Sequence, residues 1–352
     1  MPALLMLPFV SRATTTVVGL VCWCWCCCLL GCRTATGLSS SPPIGSASSS
    51  TLDASKIRAI SFDVTGTLLA TREPVVKSYH DACLWARLPD PPTRDEMKEA
   101  FKIAFRERSL ESPCFGGVEG ISGRAWWKDT VKRVLYHAKK TGDREEGSDD
   151  NDDSNNNKSY DVYTEEQFQR YFRRVYQHFG SPAGYMVLED AASLLSSIAS
   201  AAATAPEEAT IPVLGITSNT PTRHMESVLP MLDGLHDKFS WFACSQEVGH
   251  EKPAPEIFAT ALEQARFWLD DPDLPPDAVL HIGDSYACDY CGARAFGFQA
   301  LLLDRSDHPT VTTYQDWLDA PDYPGKSLED AEDHTISSLE EVATLLGLPP
   351  SP

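Results

Sequence analysis

The spacing of apolar residues changes period twice along this 352-residue chain. Residues 57–62 form a short, mostly apolar run of the length expected for a buried strand, and the run delivers Asp63 to its C-terminal end. Gly66, flanked by Thr65 and Thr67, then turns the backbone away. From Val75 the spacing becomes helical. Ser78, Ala82, Trp85 and Ala86 share one face, and residues 95–110 align Met97, Phe101, Ala104 and Phe105. Residues 123–139 turn Trp126, Val131, Val134 and Leu135 inward, and residues 165–178 do the same with Phe168, Tyr171, Phe172 and Val175.

After Met186 short apolar runs and helical patterns alternate. Strands are predicted at 212–217, 239–244, 279–283 and 299–303. Helices are predicted at 189–202, after Pro221, and at 255–267, 290–296 and 337–346. Strand-helix alternation of this kind predicts the α/β class, with a parallel sheet flanked by helices. Residues 57–70 and 187–352 are therefore expected to form the core. Residues 71–186 would be a helical cap inserted after the first strand. Residues 142–159 are Asp, Glu, Asn and Ser with almost nothing apolar, and are expected to form a solvated loop.

Charge narrows the class of partner. The net charge is −20 and the pI about 4.8, which argues against a nucleic-acid backbone as ligand. Residues 1–52 carry Arg12 and Arg33 and no acid, and residues 14–32 between those arginines are uncharged. That length suits either a membrane span or the apolar part of a signal sequence. With the Ser-rich, acid-free stretch behind it, residues 1–52 are expected to be a targeting leader or a membrane anchor. A cleaved leader would deliver the protein to an organelle, a plastid or mitochondrion. A retained anchor would leave it on a membrane or in the secretory pathway. Six of eleven cysteines fall in that segment, and the other five are scattered without a disulfide framework.

Four short signals sit where strands end: Asp63; Ile216-Thr217-Ser218-Asn219; Lys252 ahead of Pro253-Ala254-Pro255; and Gly283-Asp284-Ser285, which continues to Asp289. Each alone could be an ordinary turn or helix cap. In this order, each behind an apolar run, they resemble the four motifs of the haloacid dehalogenase superfamily, over residues 58–346. Trp126-Trp127, the Ser218-Asn219 context and the run from Leu280 through Tyr290 resemble one subgroup more narrowly. It is the subgroup of haloacid dehalogenase-like hydrolase domain-containing protein 3 and the rhythmically expressed gene 2 protein.

The resemblance implies a Rossmannoid core and a phosphoryl-transfer site acting on a small phosphorylated metabolite. Asp63 would be the nucleophile. Ser218 and the backbone N–H of Asn219 would hold phosphoryl oxygens, and Lys252 would neutralise charge. A Mg²⁺ ion would be held by Asp63, the Thr65 carbonyl and Asp284. Asp289 would serve as a further ligand or as the residue that orients Asp284 or a metal-bound water. One position departs from the superfamily pattern. The residue two places after the nucleophile is commonly an Asp that works as general acid and base, and here it is Thr65. The resemblance thus leaves two expectations open: a phosphatase, or a weakly turning binding protein on the same scaffold. Trp126 and Trp127 could touch substrate but are expected to be core residues, and Arg223 could reach a phosphate but is expected to salt-bridge on a helix surface.

Overall fold

The computed structural model describes residues 52–143, 159–204, 212–232, 234–305 and 328–348. The apolar segment 14–32 and nearly all of the acidic tract 142–159 lie outside the described residues. Among those described, no helix is long and apolar enough to cross a membrane.

Among the described residues eight strands follow one another: β1 (Ala59–Phe62), β2 (Leu69–Thr71), β3 (Tyr185–Val187), β4 (Val213–Ser218), β5 (Trp241–Cys244), β6 (Val279–Gly283), β7 (Gln299–Leu303) and β8 (Thr335–Ile336). Six of them form a parallel sheet in the order β5-β4-β1-β6-β7-β8. This is the parallel α/β sheet expected from the strand-helix alternation, and the Rossmannoid core that the resemblance implied. Every residue of β1 and β6 is buried, because a central parallel strand is covered by helices on both faces. On one face Ile60, Phe62, Ile216 and Ile282 pack against Leu194, Leu195 and Ile198 of α5 (Glu189–Thr204). On the other, Ala59, Val279 and Leu302 meet Ile257, Phe258 and Ala261 of α7 (Pro255–Leu269). Each fully buried Ile or Phe contributes about 1.5–3 kcal/mol.

Among the described residues between β2 and β3 are four α-helices: α1 (Val75–Ala86), α2 (Arg94–Glu111), α3 (Gly123–Asp143) and α4 (Glu165–His178). They share a hydrophobic cluster of their own, built on Tyr79, Met97, Phe101, Val134, Tyr171 and Phe172. Reciprocal capping boxes, Thr93 with Glu96 and Thr164 with Gln167, start α2 and α4. The insert leaves and rejoins the core through β2 and β3, which pair antiparallel with Leu69 opposite Val187. The short helices α6 (Ser245–Val248), α8 (Gly292–Phe296) and α9 (Glu340–Leu345) complete the set named here.

Three departures from the sequence expectations have local causes. β2, β3 and β8 are two or three residues long, too short to show a period. The helix expected after Pro221 is a wide π turn at His224–Val228 followed by a 3₁₀ turn at Leu229–Met231, with Pro230 inside it. Trp85 is 51% exposed and lies beneath the guanidinium groups of Arg170 and Arg174. The buried stripe of α1 runs through Val75, Ser78, Tyr79, Ala82, Cys83 and Ala86, and position 85 falls beside it.

Candidate active site

The register of three neighbouring strands brings the motif residues together. Phe62 pairs with Ile216 on one side and Ile282 on the other, so the residues that follow emerge at one edge of the sheet. Asp63 donates its backbone N–H to the Ile282 carbonyl at 2.9 Å. Ser218 ends β4, Asp284 follows β6, and the Ser218 hydroxyl hydrogen-bonds Asp63. An open α/β sheet presents ligand-binding groups at this carboxyl edge.

Lys252 is the hub. Its ammonium donates to Asp63 Oδ1 at 2.7 Å, to Asp289 Oδ1 at 2.5 Å and to the Thr217 carbonyl at 2.8 Å. Three donors meet three protein oxygens, so none is left over. The Asn219 amide fixes the backbone beneath it, accepting from Lys252 N at 2.7 Å and donating to Lys252 O at 2.9 Å. The Asn219 side chain is thereby committed to positioning Lys252, and the backbone N–H is what Asn219 can offer a phosphoryl group.

Burial and charge pull these groups in opposite directions. Burial favours neutral Lys252, but Asp289 and Asp63 outweigh it and raise the pKa above the lysine range. Burial also works to raise Asp289, yet Lys252 and the His281 hydrogen bond win and hold it low. Asp63 is raised, first by burial, against the pull of Lys252 and with the help of Asp289. Lys252 is nearer to Asp289 than to Asp63, which fits that division.

Oxygens of Asp63, Asp284 and Asp289 lie within 4.8 Å of one another. Gly66, at φ 91°, lets the Asp284 carboxylate lie over the turn; a Cβ there would come within 2.3 Å of Asp284 Oδ2. The bridge that closes this turn bonds Leu69 N to Val64 O and Gly66 N to Leu69 O, on either side of Thr65, so the Thr65 carbonyl takes no part in it. This all-oxygen donor set fits a hard divalent cation.

A family model, described as haloacid dehalogenase-like hydrolase, matches residues 57–297. This chain belongs to the haloacid dehalogenase-like hydrolase family. It is 29% identical to the mouse haloacid dehalogenase-like hydrolase domain-containing protein 3 over 72% of this chain and 84% of that protein. It is 27% identical to the rhythmically expressed gene 2 protein of Drosophila melanogaster, over 72% of this chain and 85% of that one. Both belong to the subgroup that the tryptophan pair and the Leu280–Tyr290 run resemble. Among solved structures, the haloacid dehalogenase family protein YfnB of Bacillus subtilis, crystallised with magnesium, is 18% identical. That match covers 83% of this chain and 99% of YfnB, with a TM-score of 0.47.

Two residues of this haloacid dehalogenase-like site escaped the sequence reading. His281, fully buried on β6, bonds Asp289 Oδ1 through Nε2 at 2.9 Å and the Ser61 hydroxyl through Nδ1 at 3.0 Å. With Ser285 N donating to Asp289 Oδ2 at 2.9 Å, both carboxylate oxygens of Asp289 already have protein partners. The contacts of Asp289 therefore suit holding Lys252 better than ligating a metal. The signal for His281 was present as the one ring nitrogen in an otherwise apolar strand. The second is Arg305, just past β7, which donates to the Gly66 carbonyl at 2.9 Å and the Thr67 carbonyl at 3.0 Å and pairs with Asp190. It braces the turn that follows Asp63, and nothing in its own sequence neighbourhood announces that.

A cavity of about 200 Å³ opens between this edge and the helical insert. Thr65, Asn219 and Arg223 line it from the core, and Phe115, Trp127 and Tyr176 from the insert. The two tryptophans divide: Trp126 is fully buried and donates to the Ser112 carbonyl at 2.8 Å, while Trp127 faces the cavity. The surface position expected for Arg223 is also corrected, since its guanidinium lies 3.6 Å from the centre of the Tyr176 ring in the cavity wall. The irregular backbone after Pro221 is what carries it there.

Proposed function

We propose that the protein is a Mg²⁺-dependent phosphohydrolase acting on small phosphomonoesters through an aspartyl-phosphate at Asp63. The observation that carries this reading is the buried Lys252 ammonium, 2.7 Å from Asp63, beside a cluster of carboxylate oxygens within 4.8 Å. A nucleophilic carboxylate can meet a phosphate dianion only where positive charge offsets the repulsion. Asp63, the Thr65 carbonyl and Asp284 would hold the metal, which when bound supplies further charge neutralisation. Lys252 keeps Asp63 oriented, and the Ser218 hydroxyl and Asn219 N–H support the phosphoryl oxygens. An Asp63 oxygen bonds to phosphorus as the ester P–O bond breaks, and the leaving oxygen takes a proton from water. A second water then adds to phosphorus, gives its proton to solvent, and releases phosphate with Asp63 restored as a carboxylate. The helical insert acts as a cap over the substrate.

The test is a phosphatase panel with and without Mg²⁺, beside Asp63→Asn. Turnover should require the metal and fall by at least about 10³-fold in the variant, the scale of losing a nucleophile. Equal activity in the variant refutes the reading.

Thr65 favours a second reading, a phosphate-binding protein with little turnover. This residue lines the cavity, where a carboxylate would have handled protons. A hydroxyl does not exchange protons usefully near neutral pH, and missing acid–base help typically costs about 10²–10⁴ in rate. Thr65→Asp tests the second reading, because a wild type that already turns over as fast as the variant is not a mere binding protein.

A further inference from the structure

Among the described residues, Arg223 is a cation without a carboxylate partner: none lies within ion-pair distance of its guanidinium, in a chain of net charge −20. It lies on the face of Tyr176 and hydrogen-bonds that side chain, and Arg124 approaches the same ring to 5.7 Å, adding like charge. Burial first, and Arg124 with it, hold the Arg223 pKa below the ordinary arginine value against the opposing effect of Tyr176. The position is built rather than accidental. Gly180, at the end of the insert, leaves the room for it: a Cβ there would come within 1.5 Å of Arg223 Nη2. Next in sequence, His224 also lines the cavity, and both its ring nitrogens are buried without a hydrogen-bond partner among the described residues. A half-buried guanidinium and an unsatisfied imidazole in one wall are costly unless a ligand completes them.

We infer that this wall is the specificity subsite for a second anionic group on the substrate. The substrate class is then a phosphomonoester whose apolar or aromatic body joins the phosphate to a carboxylate or a second phosphate. The body would lie against Phe115, Trp127 and Tyr176, the phosphoryl group would reach Asp63, and the second anion would meet Arg223. The neutral His224 ring would accept from, or donate to, the same end of the molecule. This inference names the substrate class of the phosphohydrolase site and rests on that reading for turnover, though not for binding.

Two arms on the full-length protein keep the two ideas apart. In the first, kcat/KM is compared for phenyl phosphate, 3- and 4-carboxyphenyl phosphate, 4-carbamoylphenyl phosphate and 1,4-phenylene bisphosphate in Mg²⁺. At least one doubly anionic substrate should be favoured by about 10-fold or more over both the unsubstituted and the carbamoyl compound, the scale of one charged hydrogen bond. Arg223→Gln should bring that ratio close to one, and Arg223→Lys should restore part of it. The carboxylate and bisphosphate compounds rank the two kinds of anion. In the second arm, calorimetry compares phenylphosphonate with its 3- and 4-carboxy derivatives. If nothing is hydrolysed, but a carboxyphosphonate binds more tightly and Arg223→Gln removes the difference, the phosphohydrolase reading fails and the subsite stands. Turnover without preference for a second anion overturns the subsite and leaves the phosphohydrolase. A preference that persists in Arg223→Gln, or no binding of any probe, also overturns it.

Discussion

Lys252 and Arg223 both lie against the loop that follows β4, yet their surroundings are opposite. Lys252 is buried with all three N–H donors on protein oxygens, and even its backbone is held by Asn219. Arg223 rests on an aromatic face with no carboxylate in reach among the described residues. The difference separates two tasks. The residues around Lys252 are arranged before any ligand arrives, down to the second tier of His281 and Ser61, which suits a step common to every phosphoryl transfer. The wall around Arg223 offers its charge no carboxylate among the described residues, which suits a choice among ligands.

The largest effect is expected at Lys252. Lys252→Met removes the cation and leaves Asp63 and Asp289 buried against each other. We expect a loss of about 3–5 kcal/mol in chemical denaturation, together with loss of turnover. A variant as stable as the wild type would mean that the cluster is not preorganised by this lysine. Thr65→Asp comes next, on the boundary between the two regions. It should raise kcat by about 10²-fold if proton handling limits the reaction. An unchanged kcat in steady-state assays would locate the slow step elsewhere.

The smallest expected effect belongs to the open wall. Burial, first, and the neighbouring Arg223 charge push His224 down to about 4. The folded state holds this ring neutral while the unfolded chain titrates near 6.5, so the associated stability is complete above about pH 6.5 and is lost as pH falls toward 4. The loss should be about 2 kcal/mol by pH 5. Thermal melts of wild type and His224→Phe at pH 7 and pH 5 should show the smaller drop in the variant. His178 and His281 are lowered by burial too, so part of the acid sensitivity should remain. Equal drops in both proteins would show that His224 is not held neutral.

Much of the committed region was legible in the sequence because its residues end apolar runs. Asp63, Ser218 and Asp284 are announced by strands, and Lys252 by the prolines that start α7. The sheet followed from the same periodicity. The roles of Asn219 and Asp289 were harder to read, because each is set by a partner some distance along the chain: Lys252 backbone for one, Lys252 and His281 for the other. Arg223 was misplaced for the same reason. Its depth depends on Gly180 and Tyr176, contributed by the insert, and on a π turn whose sequence reads as an ordinary helix. Trp85 failed by one step of helical phase.

The most direct test of the account is whether Asp63 itself becomes phosphorylated. The protein would be mixed with Mg²⁺ and phenyl phosphate, quenched in acid within the first turnovers, digested, and the peptide containing residue 63 analysed by mass spectrometry. A single phosphoryl group is expected on Asp63, which accumulates because Thr65 cannot help water remove it, and which is absent without Mg²⁺ or in Asp63→Asn. Turnover with no adduct at that residue, or an adduct that survives Asp63→Asn, would contradict it.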